Sequence, residues 1–130
     1  MAGILAINEL LKSMQPVLKQ DEYIFCCLAG SLADYVHLNP LATYVEEEGL
    51  TLILKAETAD KAGITYEGKY SLITLNVHSS LEAVGLTAAV SAKLTEHGIS
   101  ANVVAAFYHD HIFVQADKAH AALNALKEIG

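Results

Sequence analysis

The chain contains no arginine and no tryptophan, and only two prolines and two cysteines in 130 residues. Without a guanidinium the usual bidentate clamp for phosphate or carboxylate is missing. Any anionic group has to be held by a lysine, by backbone N–H groups or by a helix N-terminus. The formal net charge of −7, from 15 acidic and 8 basic side chains, works further against phosphate backbones, so nucleic acid is not an expected partner. No apolar run approaches the roughly 20 residues of a membrane helix, and a membrane is not expected either. The opening Met-Ala-Gly-Ile-Leu-Ala-Ile-Asn-Glu lacks the basic region and cleavage pattern of a secretion signal, which predicts a cytoplasmic protein. Cys26 and Cys27 are adjacent and would point to opposite faces of a strand, so they are expected as free, buried thiols rather than as a disulfide.

What is present is apolar material: hydrophobic residues make up 53% of the chain. A unit of about 60 residues buries only about 60% of its unfolded surface, so two half-length units have to pack together. The stretch from Tyr70 to Leu126 shows a complete order of strand, helix, strand, strand, helix. Ile73, Leu75 and Val77 alternate with Leu72, Thr74, Asn76 and His78, a strand with one core face and the other more polar towards its end. Ser79 and Glu82 fit a capping box that turns the chain into a helix, with Leu86, Ala89, Val90 and Leu94 inward and Gly98 as its stop. Val103–Tyr108 and Ile112–Gln115 are strands around a His109-Asp110-His111 tip, and Asp117 starts a helix with Ala119, Ala122, Leu123 and Leu126 inward.

The first half reads as a partial copy. Ile7, Leu10, Leu11, Met14 and Leu18 repeat at helical spacing, with Pro16 beginning a new turn after a break. Tyr23–Leu28 suits a strand covered on both faces. Ala29–Ala42 is a long connection with room for a helical turn. Thr43–Glu47 and Leu50–Lys55 flank Glu48-Gly49 as a hairpin, and Ala56–Ala62 is a short helix ended by Gly63. Leu52–Ala59 parallels Ile112–Ala119, strand into acid-started helix, so the chain divides into a degenerate unit, 1–66, and a complete one, 67–130.

Strand, loop into a helix N-terminus with an early glycine, strand, hairpin, strand, helix is the ferredoxin-like order, and Val77-His78-Ser79-Ser80-Leu81-Glu82, Gly85 and Tyr108-His109-Asp110-His111-Ile112-Phe113-Val114 resemble an ACT domain. The whole chain resembles the small bacterial family of tandem ACT proteins, and in architecture the ACT-based arginine sensor of animal cells. The resemblance implies an α+β fold of two tandem βαββαβ-type units packed into one compact protein. It further implies a regulatory module that binds an amino acid or other small metabolite, commonly as a homodimer. Two residues carry over: Gly85, where the family helix meets ligand, and Asp110, where the related hairpin places an acid. No effector domain accompanies the pattern, which leaves open what would be regulated.

The ligand site is expected between the end of the first strand of the second half and the helix it enters, from Asn76, His78, Ser79, Glu82, Ala83, Val84, Gly85 and Asp110. Backbone N–H groups near Ala83 to Gly85 would hold a carboxylate and Asp110 an amine, and Gly85→Val is expected to block the site with little loss of fold. His109 and His111 supply at most two ligands of uncertain geometry, too few for a metal. His78 with Ser79 or Ser80 lacks a third orienting group for nucleophilic catalysis. No catalytic residue, metal or cofactor is therefore expected. A structural or protein-interaction module without ligand is the alternative reading, followed by a small metal-dependent enzyme. The Glu46-Glu47-Glu48 run reads as a solvated turn, with attraction to a basic partner as the alternative.

Overall fold

The computed structural model describes residues 14–76 and 85–129, and the chain divides into two compact units. One comprises the described residues up to Gln20 together with those from Ser71 onward. The other runs from Asp21 to Tyr70. In chain order the elements are β1 (Pro16–Leu28), α1 (Leu32–Tyr35) followed by a 3-10 turn at Val36–Leu38, β2 (Ala42–Glu46), β3 (Gly49–Lys55) and α2 (Ala56–Ala62). After these come β4 (Tyr70–Leu75), α3 (Leu86–Glu96), β5 (Asn102–Ala105), β6 (Asp110–Gln115) and, after a 3-10 turn, α4 (Ala119–Lys127).

In the first unit the strand order is β1-β4-β6-β5, with β5 and β6 antiparallel from Asn102 opposite Phe113 to Ala105 opposite Asp110. Alternation in the strands and four-residue spacing in the helices converge on one cluster. Ile73 and Leu75 of β4 and Ile112 and Val114 of β6 meet Leu86, Val90 and Leu94 of α3 and Ala122, Ala125 and Leu126 of α4. Met14 is buried in the same cluster and Leu18 packs on it. Of the expected inward residues, Leu86, Val90, Leu94, Ala119, Ala122 and Leu126 are buried and Ala89 and Leu123 half-buried, with Ala125 buried in addition.

Two expectations are corrected in this unit. Pro16 and Leu18 belong to strand β1 rather than to a helical turn. A proline is tolerated at the first residue of a strand because no ladder donor is lost there, and Val17 favours extended backbone. The part of the expected helix before Met14 lies outside the described residues. The outer face of β4 becomes more polar towards its end as expected: Leu72 and Thr74 are buried within the strand, and Asn76 just past it is exposed. The second hairpin turns through Ala106 to His109, where the Ala106 N–H donates to the His109 carbonyl at 3.1 Å. Phe107 and Tyr108 occupy its exposed tip, while Asp110 and His111 lie inside β6.

In the second unit β1 pairs antiparallel with β3, from Tyr23 opposite Lys55 to Leu28 opposite Leu50, and β3 pairs antiparallel with β2. Ile24, Leu50, Leu52, Leu54, Ala56 and Ala59 form its core. Helix α2 ends at Gly63 as expected, and the long connection contains the short helix α1. The first hairpin turns at Glu47-Glu48, so that Gly49 lies opposite Glu46 rather than in the turn. Its φ of 151° and a would-be Cβ only 2.9 Å from both the Cys27 Sγ and the Leu28 carbonyl oxygen require glycine there. Both cysteines are free, but Cys27 is exposed and Cys26 half-buried, correcting the expectation of two buried thiols. Burial, then the neighbouring Cys27, pushes the Cys26 thiol above its ordinary value, which disfavours the reactive thiolate.

Met14, 2% exposed, precedes the first unit's strand and fills the cluster built by residues beyond Ser71. Met14→Ala should therefore cost about 2–5 kcal/mol in urea unfolding, the range for deleting a buried long side chain. Val45→Ala, at a position 82% exposed, should change stability by no more than about 0.5 kcal/mol.

Candidate functional site

Strand β4 ends at Leu75, and Asn76 follows it exposed, its N–H donating to the Gln15 carbonyl at 3.2 Å. Gln15 has a φ of 43°, uncommon outside glycine, and no feature of the sequence marked it. Helix α3 begins at Leu86 with Gly85 as N-cap at φ 101°, and the first helical bond runs from the Ala89 N–H to the Gly85 carbonyl at 2.9 Å. The N–H groups of Leu86, Thr87 and Ala88 consequently have no acceptor within the helix, and Gly85 has no side chain with which to cap them. Of the donors expected near Ala83 to Gly85, those of Ala83 and Val84 lie outside the described residues. A side chain at φ 101° is strained, so Gly85→Val would disturb the helix start as well as the site.

Asp110 opens β6 and is only 8% exposed. It alternates with Ile112 and Val114, so it lies on the strand face that builds the core, at that face's end. Among the described residues its carboxylate has no hydrogen-bond or ion-pair partner. Leu86, next to Gly85, is buried in the cluster that also holds Leu75 and Ile112. Asn76, Gly85 and Asp110 therefore each lie within two residues of a member of one core cluster. His78, Ser79, Glu82, Ala83 and Val84 lie outside the described residues, as does the expected capping box.

On the opposite face of β6, His111 Nδ1 lies 2.9 Å from the Thr74 hydroxyl oxygen of β4. This bond joins the two strands one residue away from Asp110. Among the described residues no group of three histidine, cysteine or carboxylate side chains is placed to hold a metal. The unit also has a concavity of about 320 Å³ lined by Met14, Gln15, Pro16, Val17, Leu126, Lys127 and Ile129. Asn76, Gly85 and Asp110 are not in its lining, although Gln15 is the acceptor for Asn76.

Burial lowers the His111 pKa, with the His109 and Lys19 charges acting in the same direction and Asp110 against them. The fold thus disfavours the imidazolium, and the unfolded chain binds more protons once the pH drops below about 6.5. Above that pH the group contributes no difference; below it, stability is progressively lost. His111→Gln, which keeps a partner for Thr74, should flatten the fall in urea-unfolding stability between pH 7.5 and pH 5. An unchanged slope in the variant would show that another group causes it.

Two family models described as ACT domain match the chain, one over residues 2–71 and one over 67–128. A solved Vibrio cholerae protein of unknown function, described as a possible transport protein, is 58% identical over 97% of both chains, with a TM-score of 0.89. The regulatory subunit of aspartate kinase from Thermus thermophilus, in its ligand-free form, has a TM-score of 0.67 at 11% identity, covering 91% of this chain and 98% of its own. The corresponding Thermus flavus subunit has a TM-score of 0.62, also at 11% identity, covering 85% and 94%. At such low identity these two show likeness of fold alone. No curated protein matches the chain. With α+β ferredoxin-like architecture and an ACT match in each half, the chain belongs to the ACT-domain family.

Proposed function

We propose that this chain is a regulatory small-molecule sensor that binds an α-amino acid at the end of β4, and that it is not an enzyme. ACT domains typically bind amino acids in regulation, and the similar solved chains include aspartate kinase regulatory subunits. The observation that carries the reading is Asp110. Asp110 is 8% exposed and its carboxylate has no partner among the described residues; since no buried side-chain oxygen there is left unsatisfied, that carboxylate reaches solvent, where a ligand ammonium would pair with it. The first-turn N–H groups of Leu86, Thr87 and Ala88, at the positive end of α3, would take the ligand carboxylate. Asn76, His78, Ser79, Glu82, Ala83, Val84 and Gly85 complete the proposed site, in the repeat unit 67–130 that follows the degenerate unit 1–66. No helix among the described residues is long and apolar enough to cross a membrane, in keeping with a cytoplasmic sensor.

A thermal-shift screen of amino acids should return a stabilising ligand, since a ligand at 100 times its Kd adds about 2.7 kcal/mol. Asp110→Asn should weaken that ligand by about 1.5–3 kcal/mol in titration calorimetry, the value of a charged hydrogen bond, while leaving the ligand-free protein no less stable. Binding unaffected by Asp110→Asn but weakened by Lys127→Gln would place the ligand in the 320 Å³ concavity instead. No stabilisation by any amino acid or metabolite would favour an interaction module without ligand.

We further infer a homodimer. Strand β5 is an edge, and the sequence from Gly98 to Tyr108 carries no formally charged side chain, so nothing opposes antiparallel pairing with a second copy. Light scattering should give twice the chain mass. Monomer alone at high concentration would exclude this assembly.

A further inference from the structure

Strand β2 of the second unit is the other edge, and its character differs from that of β5. It is terminal in the order β2-β3-β1, and Thr43 to Glu46 are all exposed. Tyr44 is 71% and Val45 82% exposed, with Leu41 at 49% just before the strand. An edge of this kind leaves alternate N–H and C=O groups without ladder partners, and natural proteins usually blunt it with lysine, proline or a bulge. None of these interrupts Ala42–Glu46. The acidic run Glu46-Glu47-Glu48 closes one end of the strand. Glu46 accepts a hydrogen bond from Thr51, whereas Glu47 and Glu48 have no partner among the described residues.

Charge decides what fits this edge. Asp21–Tyr70 holds nine carboxylates against three lysines, so −6 of the total −7 falls in this unit. Two of its lysines are already paired, Lys55 with Asp21 at 3.4 Å and Lys61 with Glu57 at 3.0 Å. A second copy presenting the same unit would bring −6 against −6. An extended segment of another protein with an apolar or β-branched core and a cationic end meets both the apolar strand and the unpaired glutamates.

We propose that β2 is a strand-addition site for an extended basic segment of a partner protein, the chain to which a bound ligand's presence would be passed. This goes beyond the amino-acid site, lies in the other unit and is independent of it. Antiparallel addition puts the partner segment's N-terminal end beside Glu46–Glu48, at the C-terminal end of β2. The cationic residues should therefore precede the apolar core.

The test uses synthetic peptides and the full chain. One peptide has three lysines followed by five alternating threonines and valines, a second replaces the lysines by glutamates, and a third keeps the lysines but has an N-methylated core. The lysine peptide should bind about tenfold tighter than the glutamate peptide at low salt, the sum of a few exposed ion pairs, and the advantage should fade in high salt. N-methylation should abolish binding, because the backbone ladder cannot form. Glu47→Lys with Glu48→Lys should remove the preference while leaving amino-acid binding unchanged. Equal binding of the lysine and glutamate peptides would overturn the proposal, as would binding that survives N-methylation. A dimer that Val45→Lys turns into monomer would also overturn it, since the edge would then belong to a second copy.

Discussion

A single extended segment has to satisfy two hydrophobic clusters. Strand β1 is thirteen residues long, and its early residue Leu18 packs on the cluster of Ile73, Leu75, Ile112 and Val114. Its later residues Ile24, Cys26 and Leu28 belong to, or pack against, the cluster of Leu50, Leu52 and Leu54. Between them Lys19, Gln20, Asp21 and Glu22 are exposed and give no apolar signal of a strand. This continuity explains why Met14 and Leu18 complete a core that is otherwise built from residues beyond Ser71. A unit of about 60 residues is marginal by itself, and Met14 and Leu18 are part of what raises the burial in the complete ACT unit.

The same continuity marks the limit of what was legible in the sequence. Helices α2, α3 and α4 were readable because their apolar spacing agrees with local signals: Glu57 and Gly63 at the two ends of α2, Gly98 just beyond α3, and Asp117 just before α4. For β1 they do not agree: Met14 and Leu18 stand four apart, which a helix and an alternating strand both allow, and only the packing of Leu18 settles it. The hairpins were found but misplaced. Glycine in Glu48-Gly49 and the polar His-Asp-His triplet both look like turn chemistry, yet register is set by which side chains face the core. Gly49 is needed opposite Glu46, where Cys27 and Leu28 leave no room for a Cβ, and Asp110 opposite Ala105, which keeps Ile112 and Val114 inward.

That register is what gives Asp110 its chemistry. At a hairpin tip it would be a hydrated carboxylate of no consequence; as the first residue of β6 it closes an apolar row formed by Ile112 and Val114. The sequence singled out Asp110, and Gly85, which is the N-cap of α3. It did not indicate the burial, the Thr74–His111 bond on the reverse face, or Gln15 as the acceptor for Asn76, because each depends on a partner distant in sequence.

The distribution of charge then separates the two proposed roles. The segments up to Gln20 and from Ser71 carry six carboxylates and five lysines, near neutrality, whereas Asp21–Tyr70 holds almost all the net charge. A zwitterionic amino acid gains little from long-range steering, and at physiological salt fields beyond about 8 Å are largely screened. Selection at the proposed ligand site must therefore come from contact. At the proposed site the first-turn N–H groups of α3 would attract any small anion, but the Asp110 carboxylate would disfavour one that lacks a balancing ammonium, so a phosphate would be rejected by the same group that would retain an amine. Without arginine, the chain has no side chain that could reverse that preference by clamping a phosphate in bidentate fashion.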